Sequence, residues 1–406
     1  MQLSQGNNLS KIKISNQSAI HRTLYHYGPI TRSEIASRLG LTLPTITTNV
    51  NTMIADGIVR EVGTPENSCY STGRKANLID IVPDSLHFLG VELRGSLRRL
   101  CITDYRGNTV YSDRDEVEHH DYDMAIQSAA RLVNTAFQKS GYDADSIAGI
   151  GVGVPGIVDN HSNILHIHPR YAWENKYISK DLCRLTGYRG PISVENNSCA
   201  RAFSAKLLSR ELLNSVPSFA YLFISTGIAC PLVINFNHDY DNPVGGGEVG
   251  HMVMDSNGPV CSCGNRGCLE AFSGDRAIIK SCTEEIDAGR APVLAKLCDG
   301  AAPTMSQILK AGADGDSDVN RILHLAIDTL GIATVNVYNF VRPHLMLIEG
   351  ILFTDLNLRA RFLDIAYKNL YKTTRHNARF VFVDPDDFSG ARGACAVAIR
   401  NSWIGQ

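Results

Sequence analysis

Apolar positions fall into three regimes along the chain. Over residues 10–55 they recur at three- and four-residue intervals, and over 58–82 they form two short runs. From 86 onward, short apolar runs alternate with helical stripes.

Ile20, Leu24 and Tyr27 share one face of a helix over roughly 10–27. Gly28-Pro29-Ile30-Thr31 ends it, and Thr31 with Glu34 makes a T-x-x-E capping box for a second short helix carrying Ile35, Ala36 and Leu39. Gly40 supplies a tight turn. Thr42 caps a third helix, with Pro44 in the first turn, where backbone N–H groups have no helical partner anyway. Ile46, Val50, Met53 and Ile54 form its buried stripe, which puts Thr45, Thr47, Thr48 and Asn49 on the outer face. Residues 58–62 and 76–82 read as strands around Ser71-Thr72-Gly73-Arg74-Lys75. Helix, turn, helix and hairpin in this order predict a winged helix-turn-helix.

Such a module reads base edges with the outer face of its second helix. Threonine methyls meet thymine methyls and asparagine pairs with adenine edges, so Thr45, Thr47, Thr48 and Asn49 are the candidate readers. Arg32, Ser33 and Pro44 are expected at the same surface. Arg74 and Lys75 suit a phosphate or a narrow minor groove. The recognition helix has no Arg or Lys, and a small helical module that binds another protein has the same pattern; both readings stand at this point.

Beyond it, 86–93, 99–104 and 109–112 read as a strand meander. Asp121 starts a helix with Met124, Ala129, Leu132, Ala136 and Phe137 on one side. A strand over 147–154 runs into Pro155-Gly156-Ile157-Val158-Asp159. A second such unit begins near Phe219, with a helix over 319–341 and a strand over 345–348. Two α/β halves predict a two-lobed domain with a ligand cleft.

At 406 residues, two or three cores are expected. The net charge of −2 is uninformative, but the first 80 residues carry eight Lys/Arg against five Asp/Glu, a mildly basic head on an acidic body. No apolar run reaches the ~18 residues of a membrane span, and residues 1–10 lack the apolar core of a signal peptide. A cytoplasmic protein with reduced thiols is therefore expected, despite eleven cysteines. His251 with Cys261, Cys263 and Cys268 is a complete donor set for tetrahedral structural zinc (Zn2+).

The succession of Thr72-Gly73-Arg74-Lys75, Gly153-Val154-Pro155-Gly156-Ile157-Val158-Asp159, Glu195-Asn196-Asn197, Gly247-Glu248-Val249-Gly250-His251 and Gly267-Cys268-Leu269-Glu270 resembles the ROK family of repressors and sugar kinases, most closely its repressor branch. The resemblance implies an α/β fold: an N-terminal winged helix-turn-helix over 1–82, then a two-lobed actin-like domain with a structural zinc loop. Its lobes would cover 83–196 with a C-terminal helix at about 391–406, and 197–390 with the zinc loop and a dimerisation surface. It also implies that Asn196, Asn197, Glu248, His251 and Glu270 contact a sugar. Taken separately, Asn196 and Glu270 also suit surface or capping roles.

Departures from the family pattern carry the functional expectation. The kinases' catalytic Asp is here Asn197, whose amide takes no proton near neutral pH; loss of a general base costs roughly 100- to 10,000-fold. Neighbouring Glu195 should face elsewhere on an extended strand. The phosphate loops read Gly90-Val91-Glu92-Leu93-Arg94-Gly95-Ser96 and Ser225-Thr226-Gly227-Ile228-Ala229-Cys230, with glycines missing. His168-Pro169-Arg170 stands before Trp173 where many relatives carry an Asn-containing stretch; together with Asn197 it would reshape or abolish the pocket, which leaves an unusual sugar, a phosphorylated sugar favoured by Arg170, or no sugar as open readings. The expectation is a homodimeric, non-enzymatic repressor of carbohydrate-utilisation genes, with double-stranded operator DNA and a sugar or sugar-phosphate effector as partners; a higher oligomer stays open. An active ROK-type sugar kinase, a regulator controlled by a protein partner and an activator are the rival readings.

Overall fold

The computed structural model describes residues 9–64, 76–94, 97–168, 170–213, 216–234 and 247–403. Contacts divide the chain into two units, Met1–Asn214 with Phe388–Gln406, and Ser215–Asp387.

The first unit opens with α1 (Leu9–Tyr27), β1 (Ile30–Thr31), α2 (Arg32–Leu39), α3 (Leu43–Ala55), β2 (Val59–Gly63) and β3 (Leu78–Ile81). The capping box forms as its spacing predicts. Thr31 Oγ1 accepts from the Glu34 N–H at 3.2 Å, and the Glu34 carboxylate accepts from the Thr31 N–H at 2.7 Å. Gly40 ends α2 in the left-handed region (φ 64°), and Thr42 caps α3. Ile20, Leu24, Ile35, Ile46 and Val50 are fully buried and make the three-helix core. The strands pair antiparallel in the order β1-β3-β2. Two-residue β1 was invisible to periodicity because it is too short to alternate. The wing tip, including Arg74 and Lys75, lies outside the described residues.

The same unit continues through β4 (His87–Leu93), β5 (Arg98–Asp104), β6 (Thr109–Asp115), α4 (Tyr122–Lys139), β7 (Ile147–Val154), β8 (Ile157–Asp159), β9 (Ile164–Ile167), β10 (Glu174–Lys176), α5 (Ile178–Thr186), β11 (Ile192–Asn196), α6 (Asn197–Leu208) and α7 (Arg210–Leu213). Its main sheet runs β11-β7-β4-β5-β6, with β4, β7 and β11 parallel and β5 and β6 antiparallel. Strands β8 to β10 form a small antiparallel sheet.

In the second unit, β12 (Ser218–Ile224) carries the hairpin partners β13 (Ile228–Ala229) and β14 (Leu232–Ile234). Helices α8 (Leu269–Ser273), α9 (Asp275–Asp287), α10 (Pro292–Cys298), α11 (Met305–Ala313) and α12 (Ser317–Val341) follow, then β15 (Leu345–Glu349), α13 (Leu356–Asn369) and β16 (Phe380–Val383). Strands β12, β15 and β16 are parallel; β12 and β15 are buried, sharing a core with α12, and the edge strand β16 is half-buried.

The chain then returns to the first unit as α14 (Ser389–Ser402). This helix lies on bare backbone. A Cβ at Gly90 would stand 2.1 Å from the Ala391 carbonyl oxygen, and one at Gly151 1.8 Å from that of Ala394. A Cβ at Gly393 would stand 2.8 Å from the Ala200 carbonyl carbon in α6. Sequence reading started the second lobe at 197; α6 instead packs on α14 and belongs to the first unit, because these small residues let the two helices approach. Among the described residues, no helix is long and apolar enough to cross a membrane, and all ten cysteines are free thiols.

Just beyond α14, Trp403 ties this layer to the head. Its indole N–H donates to Tyr105 Oη at 3.0 Å, Tyr105 Oη lies 3.0 Å from His21 Nδ1, and the Tyr25 ring packs on Trp403 at 5.0 Å. Arg106 donates to the Tyr25 carbonyl at 3.1 Å and pairs with Asp80. Burial pushes His21 down to about 4, so it is neutral at pH 7 and its Nδ1 shares a hydrogen bond with the Tyr105 hydroxyl. An unfolded histidine titrates near 6.5. The contribution of His21 is therefore full above that value and is lost as pH falls from about 6.5 to 4, at about 1.4 kcal/mol per unit. Thermal melts from pH 7.5 to 5 should show a shallower decline in His21→Gln than in the parent; parallel declines would refute this role.

Candidate nucleic-acid and metal sites

The outer surface of α3 differs in one respect from the expected one. Asn49 is only 6% exposed and its amide donates to the Thr45 carbonyl at 2.8 Å, so it is no base reader. Asn49 stands three residues after Ile46 and one before Val50, and the buried stripe is wide enough to include it. Pro44 and Thr48 are exposed, Thr45 and Thr47 are half-buried, and Thr45 Oγ1 lies 2.9 Å from Thr42 Oγ1. Ser33 is exposed on α2. Arg32 is committed within the head, donating to Glu61 at 2.8 Å and to Asn51 Oδ1 at 3.2 Å.

Two residues of this face were missed. Leu43 is 48% exposed at the first position of α3, and Asn51 is exposed, held through its oxygen by Arg32. Positions 44, 47, 48 and 51 are spaced as one helix face, so assigning 49 to the core would have shown the outward set. The surface is rich in methyl and hydroxyl groups and poor in charge, which suits base edges and thymine methyls.

The zinc donors converge in the second unit. Ligand atoms of His251, Cys261, Cys263 and Cys268 all lie within 4.8 Å of one another. Cys263 Sγ to Cys268 Sγ and Cys261 Sγ to His251 Nδ1 are each 3.7 Å. Sulfurs about 2.3 Å from a tetrahedral ion stand about 3.8 Å apart, so the donor set fits zinc. Local structure makes the fit. The Cys261 N–H donates to the Asn265 carbonyl at 2.8 Å, folding the loop back on itself. Gly267 has φ 68°, and a Cβ there would stand 1.5 Å from the Asp255 carbonyl oxygen. Four protein donors would leave a bound ion no open position, the arrangement of a structural site.

Glu248 and Glu270 flank His251 in the same unit. Burial pushes both carboxyls up, and the neighbouring imidazole pulls them back. Glu270 accepts from Ser262 Oγ at 3.3 Å and stands beside Gly227 in the turn between β12 and β13.

In the first unit, Asn196 caps α6. Its oxygen accepts from the Ser198 and Cys199 N–H groups at 2.8 and 3.3 Å, and its nitrogen donates to the Gly156 carbonyl at 2.8 Å. Asn197 opens α6 and is 6% exposed. Glu195 accepts from Asn160 at 3.0 Å, away from that position as strand alternation requires. In the first phosphate-loop segment, Glu92 is fully buried, 2.7 Å from Arg201 and 4.0 Å from Arg94. Burial alone would raise its carboxyl; the two guanidiniums outweigh that and hold it ionised.

The ROK family model matches residues 88–401. The chain belongs to the ROK family. A second model, winged helix-turn-helix DNA-binding, matches residues 15–60 of this ROK protein. The Bacillus subtilis xylose repressor is 27% identical over 271 residues, which is 66% of this chain and 68% of that protein. The crystal structure of a ROK family transcriptional regulator, a homolog of the E. coli MLC protein, superposes with a TM-score of 0.78 at 22% identity, covering 97% of each chain. The Streptomyces griseus ROK glucokinase, solved with glucose and AMPPNP, gives 0.67 at 19% identity over 77% of this chain and 99% of its own. These likenesses give the fold: a winged helix-turn-helix followed by an actin-like, sugar-kinase-like α/β domain.

Purified protein should carry about one zinc per chain, and Cys263→Ser or strong chelation should lower the melting transition by roughly 5–10 °C. Metal analysis with calorimetry checks this; a metal-free protein of unchanged stability would remove zinc from the account.

Proposed function

We propose that this ROK protein is a sequence-specific DNA-binding repressor of carbohydrate-utilisation genes, controlled by a sugar or sugar derivative and without phosphotransfer activity. The observation that carries the reading is one chain with a DNA-binding head whose α3 offers an uncharged, methyl-rich face and a kinase-like body whose base position is Asn197. The Glu92–Arg201 pair supports the second half: the carboxylate at the first phosphate loop is neutralised from within and offers little to a metal-bound nucleotide. The protein acts in the cytoplasm as a homodimer, its two heads occupying half-sites of a pseudo-palindromic operator. Thr45, Thr47, Thr48 and Pro44 lie in the major groove, joined by Leu43 and Asn51; Arg32 and Ser33 flank them, and Arg74 and Lys75 reach backbone or minor groove. The candidate effector contacts are Asn196 and Asn197 in the first unit and Glu248, His251 and Glu270 in the second, and effector binding favours the DNA-incompetent form by about 1–3 kcal/mol. Zinc, held by His251, Cys261, Cys263 and Cys268, fixes the loop that carries His251.

Binding sites selected from a random duplex library, followed by anisotropy titrations at several salt concentrations, test the DNA reading. Leu43→Ala and Thr47→Ala should each weaken the selected site about 10-fold, in the 1–3 kcal/mol range of a lost base contact, and leave non-specific binding unchanged. Failure to enrich any sequence would sink the reading.

For the enzyme alternative, a coupled ATP assay over hexoses and pentoses should give no turnover. Asn197→Asp alone should not restore it, because Glu92 stays paired with Arg201; turnover by the parent protein would make the chain a kinase.

A further inference from the structure

His168 is a buried side chain whose hydrogen-bonding capacity the first unit does not use up. It follows β9, is 4% exposed, and its ring sits 4.8 Å from that of Tyr171 and 4.7 Å from that of Trp173. Its Nδ1 accepts the Arg170 backbone N–H at 3.1 Å. Burial first, then the guanidiniums of Arg170 and Arg94, hold the imidazole down to about 4, so it is neutral at pH 7. With Nδ1 an acceptor, the one ring hydrogen is on Nε2. Among the described residues, no group accepts it. A donor taken out of water without an acceptor carries an uncompensated desolvation cost, and such groups are rare unless a bound molecule completes them.

Position gives the orphan donor its meaning. Gly156 has φ 117°, and a Cβ there would lie 2.2 Å from the Ile167 carbonyl oxygen and 3.1 Å from His168 Cα. The carbonyl of this same glycine accepts from Asn196. His168 is thus one backbone contact away from Asn196 and Asn197. Two cations lie close by: Arg170, on the exposed side, pairs with Glu118 at 2.9 Å, and Arg94 stands 4.0 Å from Glu92. Glu118 is itself 43% exposed, so its pair with Arg170 is water-screened and open to exchange for a better acceptor.

We propose that His168 Nε2–H is an effector contact, selecting a sugar that carries an acceptor-only anionic group, a phosphate or a carboxylate, with Arg170 and Arg94 supplying the complementary charge. A hydroxyl in the same place would also need an acceptor for its own proton, which His168 does not offer; a phosphate or carboxylate oxygen needs none. The inference rests on the effector reading of Asn196 and Asn197 and gives that effector a chemical class.

Calorimetric titration of the zinc-loaded full chain with glucose, xylose, glucose 6-phosphate, xylose 5-phosphate and glucuronate tests it. At least one anionic sugar should bind about 10-fold tighter than its neutral parent, and the phosphate and carboxylate arms identify which group is read. His168→Ala should remove that preference and leave affinity for selected DNA unchanged. His168→Gln, which restores an N–H at similar reach, should recover part of it. Should His168→Ala fail to fold, Arg170→Gln, on the exposed side, should lower the same preference. Equal affinity for anionic and neutral sugars, no binding by any of them, or a preference that survives both substitutions would overturn the inference. Sequence-selective DNA binding would stand in each of these cases, which separates this failure from failure of the repressor reading.

Discussion

Backbone lying against backbone is the constraint on which the first unit depends. Helix α14 approaches β4 and β7 so closely that Gly90 and Gly151 meet its carbonyl oxygens directly, and Gly393 meets α6 on the other side. Close-packed interiors accommodate added volume poorly, so a methyl group at any of these three points would displace the helix as a whole. That displacement would travel. Trp403 sits one residue beyond the helix and holds Tyr105 and Tyr25, which anchor α1 of the DNA-binding head. A residue that looks like filler in the sheet thus sets the seat of the head.

On this frame, polar side chains of the kinase-like body are engaged within the fold. Glu92 pairs with Arg201, Asn196 caps its own helix, and Asn197 opens that helix nearly buried. The candidate metal loop of the second unit is equally self-contained: its donors, its glycines and Glu270 are held within a span of twenty residues, His251 to Glu270.

What could be read from the sequence was what is local. Thr31 and Glu34 are three residues apart and cap α2 regardless of context, and the cysteine signature needs only its own loop to close. Asn49 was misplaced because a stripe drawn through Ile46, Val50 and Met53 fixes the direction of a buried face but not its width. Nothing in the local pattern joins Tyr25 to Trp403, or Glu92 to Arg201, since those partners meet only when distant segments pack. His168 lay between these cases. Its departure from the family pattern was visible, but the orphaned nitrogen needed the neighbouring rings and the Arg170 amide to appear.

The discontinuity of the first unit also has a meaning in time. Ribosomes add about 5–20 residues per second, so roughly 20–75 s separate the emergence of α1 from that of Trp403. During that interval β4 and β7 lack the helix that covers them, and Tyr25 lacks its indole partner. The contacts that seat the head on Trp403 are therefore among the last of the first unit that the growing chain can make.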